Sequence, residues 1–176
     1  MKYLIFIMIL SSSSPAHIIF DFNKKADVKD WITVNDSVMG GESLSSFHLN
    51  NDGYGVFAGD ISLENNGGFS SVRYNLEKKN MKGFTIIKIR LKGDGKKYQF
   101  RIKANSVDNH AYVATFLTSG EWQEIQIPIK DMYPTFRGRV LEQPNFSNEY
   151  IEEVRFLIGN KKAEYFKLLV DKIELQ

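Results

Sequence analysis

Polar and apolar residues alternate with a period of two along most of this chain. Ile87-Lys-Ile-Arg-Leu-Lys92 is an unbroken alternation, and Tyr98-Gln-Phe-Arg-Ile-Lys103 repeats it after Gly93-Asp-Gly95. Period two places alternate side chains on opposite faces, so each run predicts a half-buried strand. The Asp94-Gly95 step between them predicts a hairpin turn. Further strands are expected over residues 18–22, 43–49, 54–58, 69–74, 111–117, 122–129, 154–158 and 165–175, separated by Asn/Gly/Ser clusters. About ten short strands at regular spacing predict an all-β, antiparallel sandwich or barrel with one face of each sheet in water. Residues 24–31 alone suggest a helical turn. Residues 128–148 carry Pro134, Gly138 and Pro144 without periodicity and are expected to form a long functional or mobile loop.

Composition narrows this picture only a little. The 176 residues suit one domain, 43% of them are hydrophobic, and there is no cysteine, which excludes disulfide scaffolds, thiolate metal sites and cysteine nucleophiles. With 23 basic against 21 acidic residues the net charge is +2, and nothing electrostatic favours nucleic acid. Lysine pairs at 24-25, 78-79, 96-97 and 161-162 fall beside expected turns and read as solvated charge.

At the start, Lys2 precedes an apolar run over residues 3–10, then Ser11 to Ser14, Pro15 and Ala16. A basic residue, a short apolar core and a small-residue exit match a secretory signal peptide, and eight apolar residues are too few to span a bilayer. The expected organisation is a signal peptide over residues 1–16 and one domain over residues 17–176. Export to the periplasm or the outside follows, with cytoplasmic residence as the alternative. No transmembrane span is expected.

Catalytic signals are sparse. The nucleophile-elbow, zincin, phosphate-loop and EF-hand patterns are absent, and His17, His48 and His110 lack zinc spacing. Asp36 with Glu64 or Asp60 supplies the one conceivable carboxylate pair for glycoside hydrolysis. His48 reads as a solvent-facing strand residue. Trp31 and Trp122 read as core anchors.

Three segments stand out. Val34-Asn-Asp-Ser-Val-Met-Gly-Gly-Glu-Ser43 ends a strand in a Gly-Gly turn, with Asn35, Asp36, Met39, Gly40 and Gly41 as candidate binding residues. Leu63-Glu-Asn-Asn-Gly-Gly-Phe-Ser-Ser-Val-Arg73 opens a strand from a turn and adds Glu64, Asn65, Asn66, Gly67, Gly68, Phe69 and Arg73. Tyr133-Pro-Thr-Phe-Arg-Gly-Arg139 contributes Phe136, Arg137 and Arg139. Guanidinium groups suit bidentate contact with carboxylates, so Asp36 or Glu64 is expected to pair with Arg73, Arg137 or Arg139. The loops are expected to meet on one polar surface.

These segments carry a resemblance. Asn35-Asp-Ser-Val-Met-Gly-Gly41 with Ser43, Phe57-x-Gly59, Glu64-Asn-Asn-Gly-Gly-Phe69 with Ser71-Val-Arg73, and Phe136-Arg-Gly-Arg139 appear in the order found in the complex I intermediate-associated protein 30 domain family. Phe156-Leu-Ile-Gly159 and Phe166-Lys-Leu168 close the pattern, which covers residues 18–175. The resemblance implies a jelly-roll sandwich similar to galactose-binding domains, no catalysis, no cofactor and a protein partner held as an assembly client. Its likeness to galactose-binding folds makes carbohydrate the alternative partner. Such folds often hold a structural calcium, but no ligand string is visible here and the metal stays open. The chain departs from the family's mitochondrial assembly factors in its secretory start.

Overall fold

A computed structural model describes residues 17–176. The segment 1–16, on which the export expectation rests, lies outside the described residues. Thirteen strands form two antiparallel sheets: β1 (His17–Asp21), β2 (Trp31–Asn35), β3 (Leu44–Leu49), β4 (Gly55–Ile61), β5 (Ser70–Asn80), β6 (Ile86–Lys92), β7 (Lys97–Lys103), β8 (Ala111–Leu117), β9 (Trp122–Pro128), β10 (Tyr133–Phe136), β11 (Arg139–Val140), β12 (Tyr150–Ile158) and β13 (Glu164–Leu175). One sheet runs β3-β4-β13-β6-β9, with β1 also paired to β13; the other runs β11-β10-β8-β7-β12-β5-β2. The fold is an antiparallel β-sandwich of the jelly-roll, galactose-binding-like kind.

The alternation does what it predicts. Ile87, Ile89 and Leu91 of β6 face Tyr98, Phe100 and Ile102 of β7 across the sandwich, all at most 1% exposed. At one edge Trp31 stacks on Tyr74 at 5.2 Å and on Phe47 at 5.1 Å, so residues from both sheets close over a single indole.

Several expectations change in three dimensions. The Asp94-Gly95 step is not a hairpin: β6 lies in one sheet and β7 in the other, so the turn crosses the sandwich. The Asp94 carboxylate holds that crossing, accepting from Tyr98 Oη of β7 at 3.0 Å and from the Lys167 amide of β13 at 2.9 Å. A local turn signal cannot register such partners from the opposite sheet.

Residues 24–31 form Asx-type turns rather than a helical one. Asn23 Oδ1 accepts from the Lys25 amide, Asp27 Oδ1 from the Lys29 amide. The stretch 128–148 is not one long loop. It contains a 3-10 turn at Ile129–Asp131 and the β10–β11 hairpin, whose two-residue Arg137-Gly138 turn has positive φ at both positions. Lys78 and Lys79 lie inside β5 rather than beside a turn.

Candidate functional site

Asp36 opens a 3-10 turn that follows β2, and its carboxylate is completely buried. Oδ1 accepts from the Ser43 amide at 2.9 Å. Oδ2 accepts from the Ser43 hydroxyl and from the amides of Gly68 at 2.6 Å and Phe69 at 3.2 Å. Burial pushes its pKa up, but the Ser43 hydroxyl and the Gly68, Ser43 and Phe69 amides outweigh burial and hold it below the usual 3.8. Close approach explains two glycines of the motif: a Cβ on Gly41 would strike the Asp36 side chain, and one on Gly67 would lie 2.6 Å from Oδ2. Next to it, Asn35 Oδ1, Ser45 Oγ and Ser70 Oγ sit within 2.7–2.8 Å of one another. Ser43 leads into β3 and Ser45 lies in it, at the edge of one sheet, while Asn35 and Ser70 belong to β2 and β5 of the other. The motif is therefore a clasp between two sheet edges.

This clasp corrects two expectations. Asp36 meets no arginine, because four N–H and O–H donors already occupy its oxygens. Asp36 with Glu64 is no hydrolytic pair either, since one carboxylate is buried and saturated while Glu64 is exposed. Asn65 and Asn66 adopt left-handed φ of 53° and 59°, and Gly68 has φ 124°, so these residues serve the turn's backbone.

Among the residues the clasp presents to solvent, beside Glu64, Asn65 and Asn66, are three large apolar side chains. Met39 closes its 3-10 turn and is 61% exposed, Leu44 follows Ser43 and is 70% exposed, and Leu63 beside Ser62 is 47% exposed. Ser62 is tied to the clasp through its amide, which donates to Ser43 Oγ at 3.0 Å.

The third segment does not join them. β10 and β2 are five strand steps apart, about 24 Å at the usual spacing. The registers also put the Phe136–Arg139 turn beside the start of β8, at the opposite end of the sheet from the clasp. There the Arg137 guanidinium lies over the Phe136 ring, 5.3 Å from its centroid. Two of the three expected loops converge.

A second polar constellation lies on the outer face of the seven-stranded sheet. Cross-strand register aligns Ile32, Arg73, Arg155, Arg101, Val113 and Tyr133 in one transverse row. Glu153 is 2% exposed and is the one carboxylate that Arg155 and Arg73 meet among the described residues: Arg155 Nη2 lies 2.9 Å from its Oε1 and Arg73 Nη1 3.8 Å from its Oε2. Arg101 turns Nε and Nη2 onto the neutral Gln99 Oε1 at 2.9 and 2.6 Å. Burial, with the nearby Arg155 charge, lowers the Arg101 pKa to about 10. Arg73 Nε and Glu153 Oε2 are buried without a hydrogen-bond partner. Of the charged residues here the sequence singled out Arg73 alone. Arg101, Glu153 and Arg155 occupy outward positions of their strands, where alternation predicts polar side chains and says nothing of which strands lie side by side.

Trp122 is half-buried rather than a core anchor. It packs against Tyr54 with ring centroids 4.5 Å apart and, with Asp52, Lys92, Asp94 and Lys167, lines a cavity of about 350 Å³ on the other sheet. Trp31 is in the core, as expected. Among the described residues no three metal-ligating side chains gather. The Asp36 oxygens face only donors, an environment opposite to the one calcium needs.

Comparison with known proteins adds four findings. A family model for complex I intermediate-associated protein 30 matches residues 20–170. A mouse protein named "Complex I intermediate-associated protein 30, mitochondrial" is 24% identical over 90% of this chain, and the match covers 55% of the mouse protein, so this chain spans about half of that relative. An uncharacterized protein of Schizosaccharomyces pombe is 32% identical over 82% of this chain and 77% of its own length. Among solved structures, the family 11 carbohydrate-binding module of Clostridium thermocellum, in complex with a β-1,3-1,4-mixed-linked tetrasaccharide, superposes with a TM-score of 0.69 at 17% identity. It covers 93% of this chain and 96% of that one.

Proposed function

The chain belongs to the complex I intermediate-associated protein 30 family, and on that premise we propose that it is a non-catalytic assembly module holding a protein client. The observation that carries this is the exposed trio Met39, Leu44 and Leu63, presented by the saturated clasp around Asp36. Three large apolar side chains on a rigid mount give a partner something to cover, and exposed clusters of this kind mark protein contact sites. A mount with every donor and acceptor engaged adds little ordering cost on binding. The relative's name supports an assembly role, and a secretory reading of residues 3–10 would put the client in the cell envelope or outside, with the cytoplasm as the alternative.

The test is site-specific photo-crosslinking. A photoreactive residue at Leu44 should give one dominant protein adduct in cells, and the same residue at Lys88 on the outer face of β6 should not. Met39→Ser with Leu63→Ser should abolish the Leu44 adduct while leaving the thermal midpoint unchanged. Equal adducts at both positions would remove the proposal.

Carbohydrate binding is the second function that a specific observation favours. Trp122 and Tyr54 give an aromatic wall with polar groups around it, the usual make-up of a small-ligand site. Neutral oligosaccharides should then bind wild type and not Trp122→Ala.

A further inference from the structure

From the arginine row we infer a second binding site, on the outer face of the seven-stranded sheet, for a linear oligosaccharide bearing carboxylates, of the uronic-acid class. It needs neither the Met39–Leu44–Leu63 surface nor the Trp122 cavity.

Charge is the first support. Strands lie about 4.8 Å apart, so Arg73, Arg155 and Arg101 stand on three neighbouring strands with their backbone positions within about 10 Å along one line. Between them they meet one carboxylate among the described residues, that of Glu153, which leaves two positive charges without a counter-ion. Like charges set side by side on neighbouring strands are destabilising. Folding alone gives no reason to gather them.

Open valence is the second. Arg155 spends Nε and Nη2 on Glu153 Oε1, and Arg101 spends Nε and Nη2 on Gln99 Oε1. The Nη1 groups of both are uncommitted. Arg73 Nε is buried with no acceptor, and a buried donor left unmade is costly. A ligand carboxylate supplies acceptors in the planar geometry that guanidinium prefers.

Shape is the third. Ser71, Leu157 and Val113 point away from the core on this face, yet they are at most 8% exposed. Side chains on an uncovered outer face would lie open; here their longer polar neighbours fold over them, so the arginines lie along the sheet rather than standing free in solvent. Tyr133, half-buried at the end of the row, offers a ring face to a sugar.

The same geometry decides against an acidic peptide. Extended peptides are captured at sheet edges, where the edge strand bonds their backbone amides. A sheet face offers side chains only, so a peptide here would bury amides without partners. A sugar acid has no such backbone, and its hydroxyls can bond to Gln99 and Thr115.

The test is calorimetric titration of the full chain with trigalacturonate, its methyl ester and hexaglutamate. Trigalacturonate should bind, and the uncharged ester should bind at least about tenfold more weakly, a comparison made entirely on the wild-type protein. Arg101→Gln should weaken trigalacturonate about tenfold without a change in unfolding midpoint, while Lys88→Gln on the other sheet should leave it unaltered. Equal binding of acid and ester, no binding at millimolar trigalacturonate, or stronger binding of hexaglutamate would each overturn the inference. None of these outcomes bears on crosslinking at Leu44.

Discussion

Asp36 and Arg101 are both drawn out of water, but they are treated differently. The carboxylate receives two hydrogen bonds from Ser43 and one each from the Gly68 and Phe69 amides. The guanidinium receives one neutral amide oxygen, from Gln99, and stands beside a second cation. A charge with all its valences filled by its own chain is holding that chain together. A charge left underfilled at a half-buried position retains the capacity to hold something else. The family's most recognisable motif is thus its most structural part, and the arginine row lies at positions that no motif marks.

The largest expected effect comes from emptying the clasp. Asp36→Ala strips four donors of their acceptor and should cost about 3 kcal/mol in urea unfolding. A loss below about 1 kcal/mol would show that the clasp is not what joins β3 to β5. The same variant carries a pH signature. Because the folded state holds the Asp36 pKa below 3.8, its contribution is fully present above about pH 5 and disappears as pH falls through the lowered value. The stability gap between wild type and Asp36→Ala should therefore be widest near neutrality and narrow below pH 3.8; a gap that widens in acid would reverse the sign of the shift.

Glu153→Gln comes next, at about 2 kcal/mol, since it leaves Arg73 and Arg155 without their buried partner. Arg101→Gln should lie at the small end, within about 0.5 kcal/mol of wild type, because it forfeits a neutral contact and relieves repulsion from Arg155. Should Arg101→Gln prove as damaging as Glu153→Gln, the row would be structural and the contrast with the clasp would collapse.

Much of this was legible in the chain. Ile87-Lys-Ile-Arg-Leu-Lys92 announces a strand and its buried face without help, and β6 is that strand. The Asn35–Gly41 and Glu64–Phe69 segments were visible as special, and the fold does bring them together. Their role was not visible: a carboxylate beside glycines reads equally as ligand site or as clasp until the Ser43 and Gly68 donors are in place. β10 and β11 were missed because two- and four-residue strands are too short for alternation to register. Trp122 reads as a core anchor in the sequence, whereas the register sets it opposite Lys92 on the outer face of β9 and β6.

The sequence by itself determined most of the strands, their buried faces, the family and the two segments that meet in the clasp, because each of these is written in spacing along one stretch of chain. Which strands lie side by side was decided only by the tertiary structure. Pairing Arg73, Arg155 and Arg101 depends on register between β5, β12 and β7, residues far apart in the chain, and that register is set by how the whole core packs. Alternation can say that a side chain faces out; only the sheet order says which other charges it must face there.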